Sequence, residues 1–199
     1  GFRVGILNNL IICNGIDIEK YKNAKPIDRA SVTSHPNRTI IAMVAGFRAQ
    51  KDHETVIRAA RLLPDNYEVW FIGDGERRPI IERLIAENKL EDKILLLGIR
   101  TDVASVLKAT DIIVMSSHCE GFGLAAVEGM AAGKPVIASN VDGLSQVVRG
   151  AGILFTARVG SGQIDAGAPL LMEAVAAVFV GYSVFGSGKP NAIGTFFGA

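Results

Sequence analysis

The segment Asp111 to Ala138 reads D-I-I-V-M-S-S-H-C-E-G-F-G-L-A-A-V-E-G-M-A-A-G-K-P-V-I-A, and it constrains the possible folds more than any other part of the chain. The apolar run Asp111 to Met115 suits a strand. A turn follows with Glu120, Gly121 and Gly123, then a helical run from Leu124 to Ala132, then a second apolar strand from Pro135 to Ala138. Glycines there let backbone amides approach a ligand closely, and the first turn of the next helix offers unpaired donors and a positive dipole end. Glu128 falls inside the helix among Leu124, Ala125, Val127, Met130 and Ala131, where a carboxylate needs a polar partner. Glu120 on the loop and Glu128 in the helix both face the carboxyl edge of the sheet, placed to grip hydroxyls on one extended ligand. The residues equally allow a plainer reading, in which the glycines only shape a tight turn, Glu120 is solvated and Glu128 bonds a neighbouring backbone group.

From Thr39 onward, strands and helices alternate. The pattern predicts strands at Thr39–Ala45, Glu68–Ile72, Lys93–Leu97, Asp111–Met115 and Pro135–Ala138, with a last short strand at Gly152–Leu154. Helices are expected at His53–Leu63, Arg77–Asn88, Asp102–Leu107, Leu124–Ala132 and Leu144–Val148. Such alternation argues for a doubly wound α/β fold, a parallel sheet covered on both faces. Ligands in these folds bind beyond the carboxyl ends of the strands. Upstream, Leu10 to Asp17 is a short apolar strand ending in an Asn-Gly turn, and the polar stretch Lys20 to Arg38, with Pro26 and Pro36, is an irregular connector.

The chain has 199 residues, 49% of them hydrophobic, and a formal net charge of +1, which suits one main domain and gives no footprint for nucleic acid. Cys13 and Cys119 are too few for a disulfide framework, and His35, His53 and His118 form no ligand pair, so no metal site is expected. Three further loops follow strands. Gly46 to Asp52 carries Arg48 and Lys51, cations that suit a diphosphate or simply solvate a loop. Gly73-Asp74-Gly75 fits a plain turn or a close backbone approach, and Leu97-Gly98-Ile99-Arg100 closes the set.

The run Glu120-Gly-Phe-Gly-Leu-x-x-x-Glu128, continued by Gly129-x-x-Ala-Gly-Lys-Pro-Val-Ile-Ala138, resembles the donor site of GT-B glycosyltransferases of family 4, whose two glutamates form a Glu-x7-Glu motif. The likeness covers about residues 9 to 155. It implies a Rossmann-like, C-terminal donor-binding domain that retains configuration while transferring a sugar from a nucleotide diphosphate sugar, with no metal and no cofactor. Residue by residue, it implies that Lys51, with Arg48, stabilises the leaving diphosphate. Glu120 and the backbone of Gly121, Phe122, Gly123 and Leu124 would hold the sugar, and Glu128 the ribose hydroxyls. Gly73 and Gly75 would lie beneath the nucleotide and Gly98 beside the base. The family's arginine stands five residues before its lysine; that place is Gly46 here, so Arg48 would reach in from two residues later. The stretch Ser139 to Gln146 matches less well and reads as structural. An N-terminal GT-B domain would supply the acceptor site, so the chain by itself is expected to bind donor weakly and transfer little.

This likeness divides the chain into a linker and entry strand (1–38), a donor-binding domain (39–155) and an apolar tail (156–199). The tail is similar instead to a permease segment of ribose-type ABC sugar importers, on Ala157-Arg-Val-Gly-Ser-Gly-Gln163, Glu173-Ala-Val-Ala-Ala-Val178 and Gly194-Thr-Phe-Phe-Gly-Ala199. Its uncharged run Ala174 to Gly188 is shorter than the ~18 residues or more that span a bilayer. A segment foreign to the domain and a buried C-terminal helix, Leu170 to Val180, both fit. The expected setting is cytoplasmic, with membrane association through the acceptor or the tail. A GT-B-like epimerase, a non-catalytic nucleotide-sugar module and a membrane-attached piece of a transport assembly are the competing readings.

Overall fold

The structure is a computed structural model and describes residues 15–149. The entry strand before Gly15, the strand expected at Gly152–Leu154 and the whole tail lie outside the described residues.

Five strands, β1 (Thr39–Val44), β2 (Tyr67–Ile72), β3 (Ile94–Gly98), β4 (Ile112–Met115) and β5 (Val136–Ala138), form one sheet in the order β3-β2-β1-β4-β5. Every pairing is parallel. Helices α1 (Ile18–Lys22), α2 (His53–Ala60), α3 (Arg78–Glu87), α4 (Val103–Ala109) and α5 (Leu124–Ala131) cover it, and residues 144–149 are helical as well. The sheet is therefore the doubly wound, Rossmann-like α/β arrangement expected from the alternation.

Because side chains alternate across a strand, each central strand feeds two cores. Ile41 and Met43 of β1, with Val69 and Phe71 of β2, pack beneath Val56, Ile57, Ile81 and Ile85 of α2 and α3. Ile40, Ala42, Trp70 and Ile72 face the other way, into Tyr21, Ala104, Val106 and Leu107 of α1 and α4. All six residues of β2 are buried, and this leaves Glu68 1% exposed inside the sheet. Its carboxylate is satisfied: Trp70 Nε1 donates at 2.5 Å, Thr33 Oγ1 at 2.8 Å, and Arg38 Nη1 stands 3.7 Å away.

The connector expected to be irregular between Lys20 and Arg38 begins inside α1 and holds a 3-10 turn at Arg29–Ser31. Asp17 caps α1 by accepting from the Lys20 amide at 3.2 Å, and Asp28 caps the 3-10 turn in the same way. A helix of five residues is too short to show a repeating apolar period, and burial of Tyr21 stabilises it from outside its own sequence.

Candidate functional site

The strand order reverses direction between β1 and β4. From β1 the chain passes to β2 on one side, and from β4 it passes to β5 on the other, so the loops leaving these adjacent strands diverge and open a crevice. A cavity of about 810 Å³ occupies that place. Gly46 and Lys51 line it from the β1 loop, Gly73 from the β2 loop, Ile99 and Arg100 from the β3 loop, and Glu120 to Ala125 with Glu128 from the β4 loop and α5.

The two principal loops are fastened to each other. Ser116 Oγ lies 2.9 Å from the Lys51 carbonyl and 2.8 Å from that of Asp52, and the His118 amide donates to the Gln50 carbonyl at 2.8 Å. Asp52 turns the chain in a left-handed conformation (φ 51°) and caps α2 through Thr55, which fixes where the preceding lysine projects. Lys51 Nζ forms an ion pair with Glu120 Oε2, and Ser117 Oγ stands 3.4 Å from the same oxygen. Both side chains of the pair are mostly buried, at 20% and 15% exposure. A cation on one lip of the crevice and a carboxylate on the other are thus held in contact.

Behind Lys51, His53 is the first residue of α2 and is 1% exposed. Its ring meets Phe47 and Phe71 edge-on, at 4.8 and 5.0 Å between centroids, and its Nε2 is buried without a partner among the described residues. Burial pulls its pKa down to about 4; Lys51 and Arg77 reinforce the effect, and Glu54 and Asp52 oppose it. His53 is a neutral wedge under the Lys51 loop.

The glycines divide into two kinds. A Cβ on Gly73 (φ 143°) would sit 2.1 Å from the Ala45 carbonyl oxygen, and one on Gly75 would sit 2.7 Å from that of Phe47. These two glycines let the β1 and β2 loops touch; Gly73 lines the cavity and Gly75 does not. A Cβ on Gly121 would meet nothing within 4 Å, so no packing demand accounts for a glycine there and its backbone stands open to the crevice. Gly143 has a packing role, because a Cβ would lie 2.4 Å from the Gly121 carbonyl where Glu120 and Gly143 form a bridge.

Gly123 precedes α5 and has no side chain to cap it, so the first amides of the helix are left toward the crevice, where Leu124 and Ala125 line it. Gly129 brings α5 hard against β4, since a Cβ would fall 2.8 Å from Ile113 Cγ1. Glu128, one residue earlier, lines the cavity and has the polar partner its position demands: Tyr21 Oη of α1 donates to Oε1 at 2.6 Å.

Of the residues singled out in the sequence, Lys51, Glu120, Gly73, Gly121, Phe122, Gly123, Leu124 and Glu128 line one cavity. Arg48, Gly75 and Gly98 do not. Arg48 is exposed, with its Nε 3.9 Å from where a Cβ on Gly46 would stand, so its side chain occupies the direction a longer residue at 46 would take. Gly98 (φ 66°) accepts from the Gly73 amide and turns the chain toward Ile99. Two polar side chains at the site, Arg100 and Tyr21, carry no role in the sequence reading. Arg100 lines the rim and is held in a fork by Asp102, at 2.8 and 2.6 Å. Tyr21 supports Glu128; its only local signal was the Asp17 cap in front of it. Among the described residues, no three His, Cys, Asp or Glu side chains come together as a metal site, and no helix is long and apolar enough to cross a membrane.

The family described as glycosyl transferases group 1 matches residues 24–161. The lipopolysaccharide core biosynthesis glycosyltransferase LpsD of Rhizobium meliloti (strain 1021) is 33% identical over 125 residues, 63% of this chain and 36% of that protein. The UDP-Gal:alpha-D-GlcNAc-diphosphoundecaprenol alpha-1,3-galactosyltransferase of Escherichia coli is 32% identical over 149 residues, 70% of this chain and 38% of that protein. The chain therefore spans little more than a third of these relatives' length. Among solved structures, HepE of Anabaena in complex with UDP and glucose superposes with a TM-score of 0.63 at 22% identity, covering 87% of this chain and 52% of that one. WaaG, a glycosyltransferase involved in lipopolysaccharide biosynthesis, gives 0.59 at 20% identity, covering 68% and 39%. Both share the fold.

Proposed function

The chain belongs to the glycosyl transferases group 1 family, and from that premise we propose that its crevice binds a nucleotide diphosphate sugar as the donor side of a retaining sugar transfer. The observation that carries this reading is the meeting of Lys51 and Glu120 across the mouth of the crevice, with Glu128 further along the same wall and the open backbone of Gly121 between the two carboxylates. A diphosphate takes over Lys51, and Glu120, released from the ion pair, accepts from sugar hydroxyls. Glu128 accepts from the ribose. The amides opening α5 supply donors that cost no reorganisation.

In the reaction, the bond between the anomeric carbon and the diphosphate oxygen breaks, and charge accumulates on the departing oxygen. Lys51 sits where that charge develops, and electrostatic stabilisation of this kind is commonly the largest catalytic term. Arg48 adds to it from the outer side. The acceptor hydroxyl approaches the face the leaving group vacates and passes its proton to a phosphate oxygen, so no protein nucleophile and no metal take part. The acceptor is bound by a further domain, and this chain alone holds donor with little turnover. Glycan or polysaccharide synthesis is the setting this reading fits, as the relatives' roles suggest.

The test is calorimetric titration of the chain with UDP, GDP and ADP, on wild type and on Glu128→Ala. One nucleotide is expected to bind saturably, and loss of charged hydrogen bonds worth roughly 1.5–3 kcal/mol should weaken it about 10- to 100-fold. A cooperatively folded wild type that binds none of the three, or an unchanged affinity in Glu128→Ala, refutes the assignment.

A further inference from the structure

Tyr21 lies 107 residues before Glu128, on the short helix that follows the Asn-Gly-Ile-Asp entry, yet its phenol reaches the crevice wall. The ring is 7% exposed, packed with Ile40, Ala42, Trp70 and Ala132 on the α1 face of the sheet. A phenol so placed needs a polar partner, and the one it takes is Glu128 Oε1, at a distance typical of a strong hydroxyl–carboxylate bond. No other hydrogen bond reaches the Glu128 carboxylate among the described residues, and the residue lines the cavity. Burial first, and then the Glu128 bond and charge, push the Tyr21 pKa far up, so the phenol keeps its proton and remains the donor throughout the working pH range.

We propose that Tyr21 is a positioning residue for nucleotide binding: its hydroxyl fixes the rotamer of Glu128 so that one carboxylate oxygen faces the ligand's ribose. This rests on the reading of Glu128 as a ribose acceptor. A free glutamate on an open wall loses rotamer freedom when it binds, which weakens affinity by up to about tenfold for a side chain of this type. Tyr21 removes that cost beforehand, as part of the folded core. Asp17 extends the support, because its cap holds the single helical turn that carries Tyr21. Asp17 thereby contributes to the site through Tyr21.

The experiment is a double-mutant cycle in the full chain with Tyr21→Phe and Glu128→Ala, read by calorimetry against whichever of UDP, GDP and ADP the wild type binds, and against inorganic pyrophosphate. Tyr21→Phe keeps the packed ring and removes only the hydroxyl. It is expected to weaken the nucleotide about three- to tenfold, to leave pyrophosphate binding unchanged, and to have no further effect in the Glu128→Ala background. Equal or tighter nucleotide binding by Tyr21→Phe overturns the proposal while leaving the donor-site reading intact. A loss that adds in full to that of Glu128→Ala, or that extends to pyrophosphate, overturns it in favour of a purely structural tyrosine. Failure of the folded wild type to bind any of the nucleotides overturns the donor-site reading itself, and the proposal falls with it.

Discussion

Protonating His53 should destabilise this domain, because its ring is buried between Phe47 and Phe71 with Nε2 unpaired among the described residues. In the folded chain its pKa is lowered to about 4, against 6.5 for the free side chain. The sign follows from linkage. As pH falls, the unfolded chain takes up this proton first, so the stability is whole above about pH 6.5 and is lost progressively down to about pH 4. The full difference is worth about 3 kcal/mol, of which about 2 kcal/mol falls between pH 7 and pH 5. Carboxylates interfere little in that window: Asp92, bonded by Arg38 and His35, and Asp102, bonded by Arg100, are held below their ordinary value. The comparison is wild type against His53→Leu by urea denaturation at pH 7 and pH 5. With a slope of about 2 kcal/mol/M, the wild-type midpoint should fall about 1 M further than that of the variant. The other two histidines are common to both proteins and cancel in the difference. Equal pH dependence in the two proteins would refute the buried neutral imidazole.

Gly129→Ala places a methyl 2.8 Å from Ile113 Cγ1; the overpacking, set against a better helix former, should cost about 1–2 kcal/mol, readable as a lowered Tm. Glu68→Ala leaves Trp70 Nε1 and Thr33 Oγ1 without their acceptor and should destabilise by about 3 kcal/mol in urea. Nucleotide affinity should be unchanged in that variant, since Glu68 stands toward the other end of β2 from the crevice. Lys51→Ala should weaken pyrophosphate binding tenfold or more and Arg48→Ala much less, as only Lys51 lines the cavity; calorimetry with both variants checks the order.

Much of the architecture was legible because it depends on neighbours in sequence. The apolar runs at Ile40–Val44 and Val69–Ile72, the helical spacing between them and the glycines after each strand are local properties, and they placed β1 to β5 and α2 to α5 within a residue or a few of where they lie. Glu128 among apolar neighbours announced an unmet polar demand in the same way. What answers that demand was not legible. Tyr21 stands on a helix too short for any period to show, inside a stretch whose prolines and charges suggest a connector. Gly73 and Gly75 look alike in sequence, yet one lines the crevice and the other only packs on Phe47.

By itself, then, the sequence determined the alternation of strands and helices, the parallel sheet and the chemical types available at its carboxyl edge. The tertiary structure decided which of those groups meet. Lys51 reaches Glu120 across 69 positions, and Tyr21 reaches Glu128 across 107. Both contacts exist because β1 and β4 are neighbours and α1 packs beside α5. Local spacing fixes the period of a segment; the order of strands is chosen by burying both faces of the sheet at once, which is a property of the whole chain.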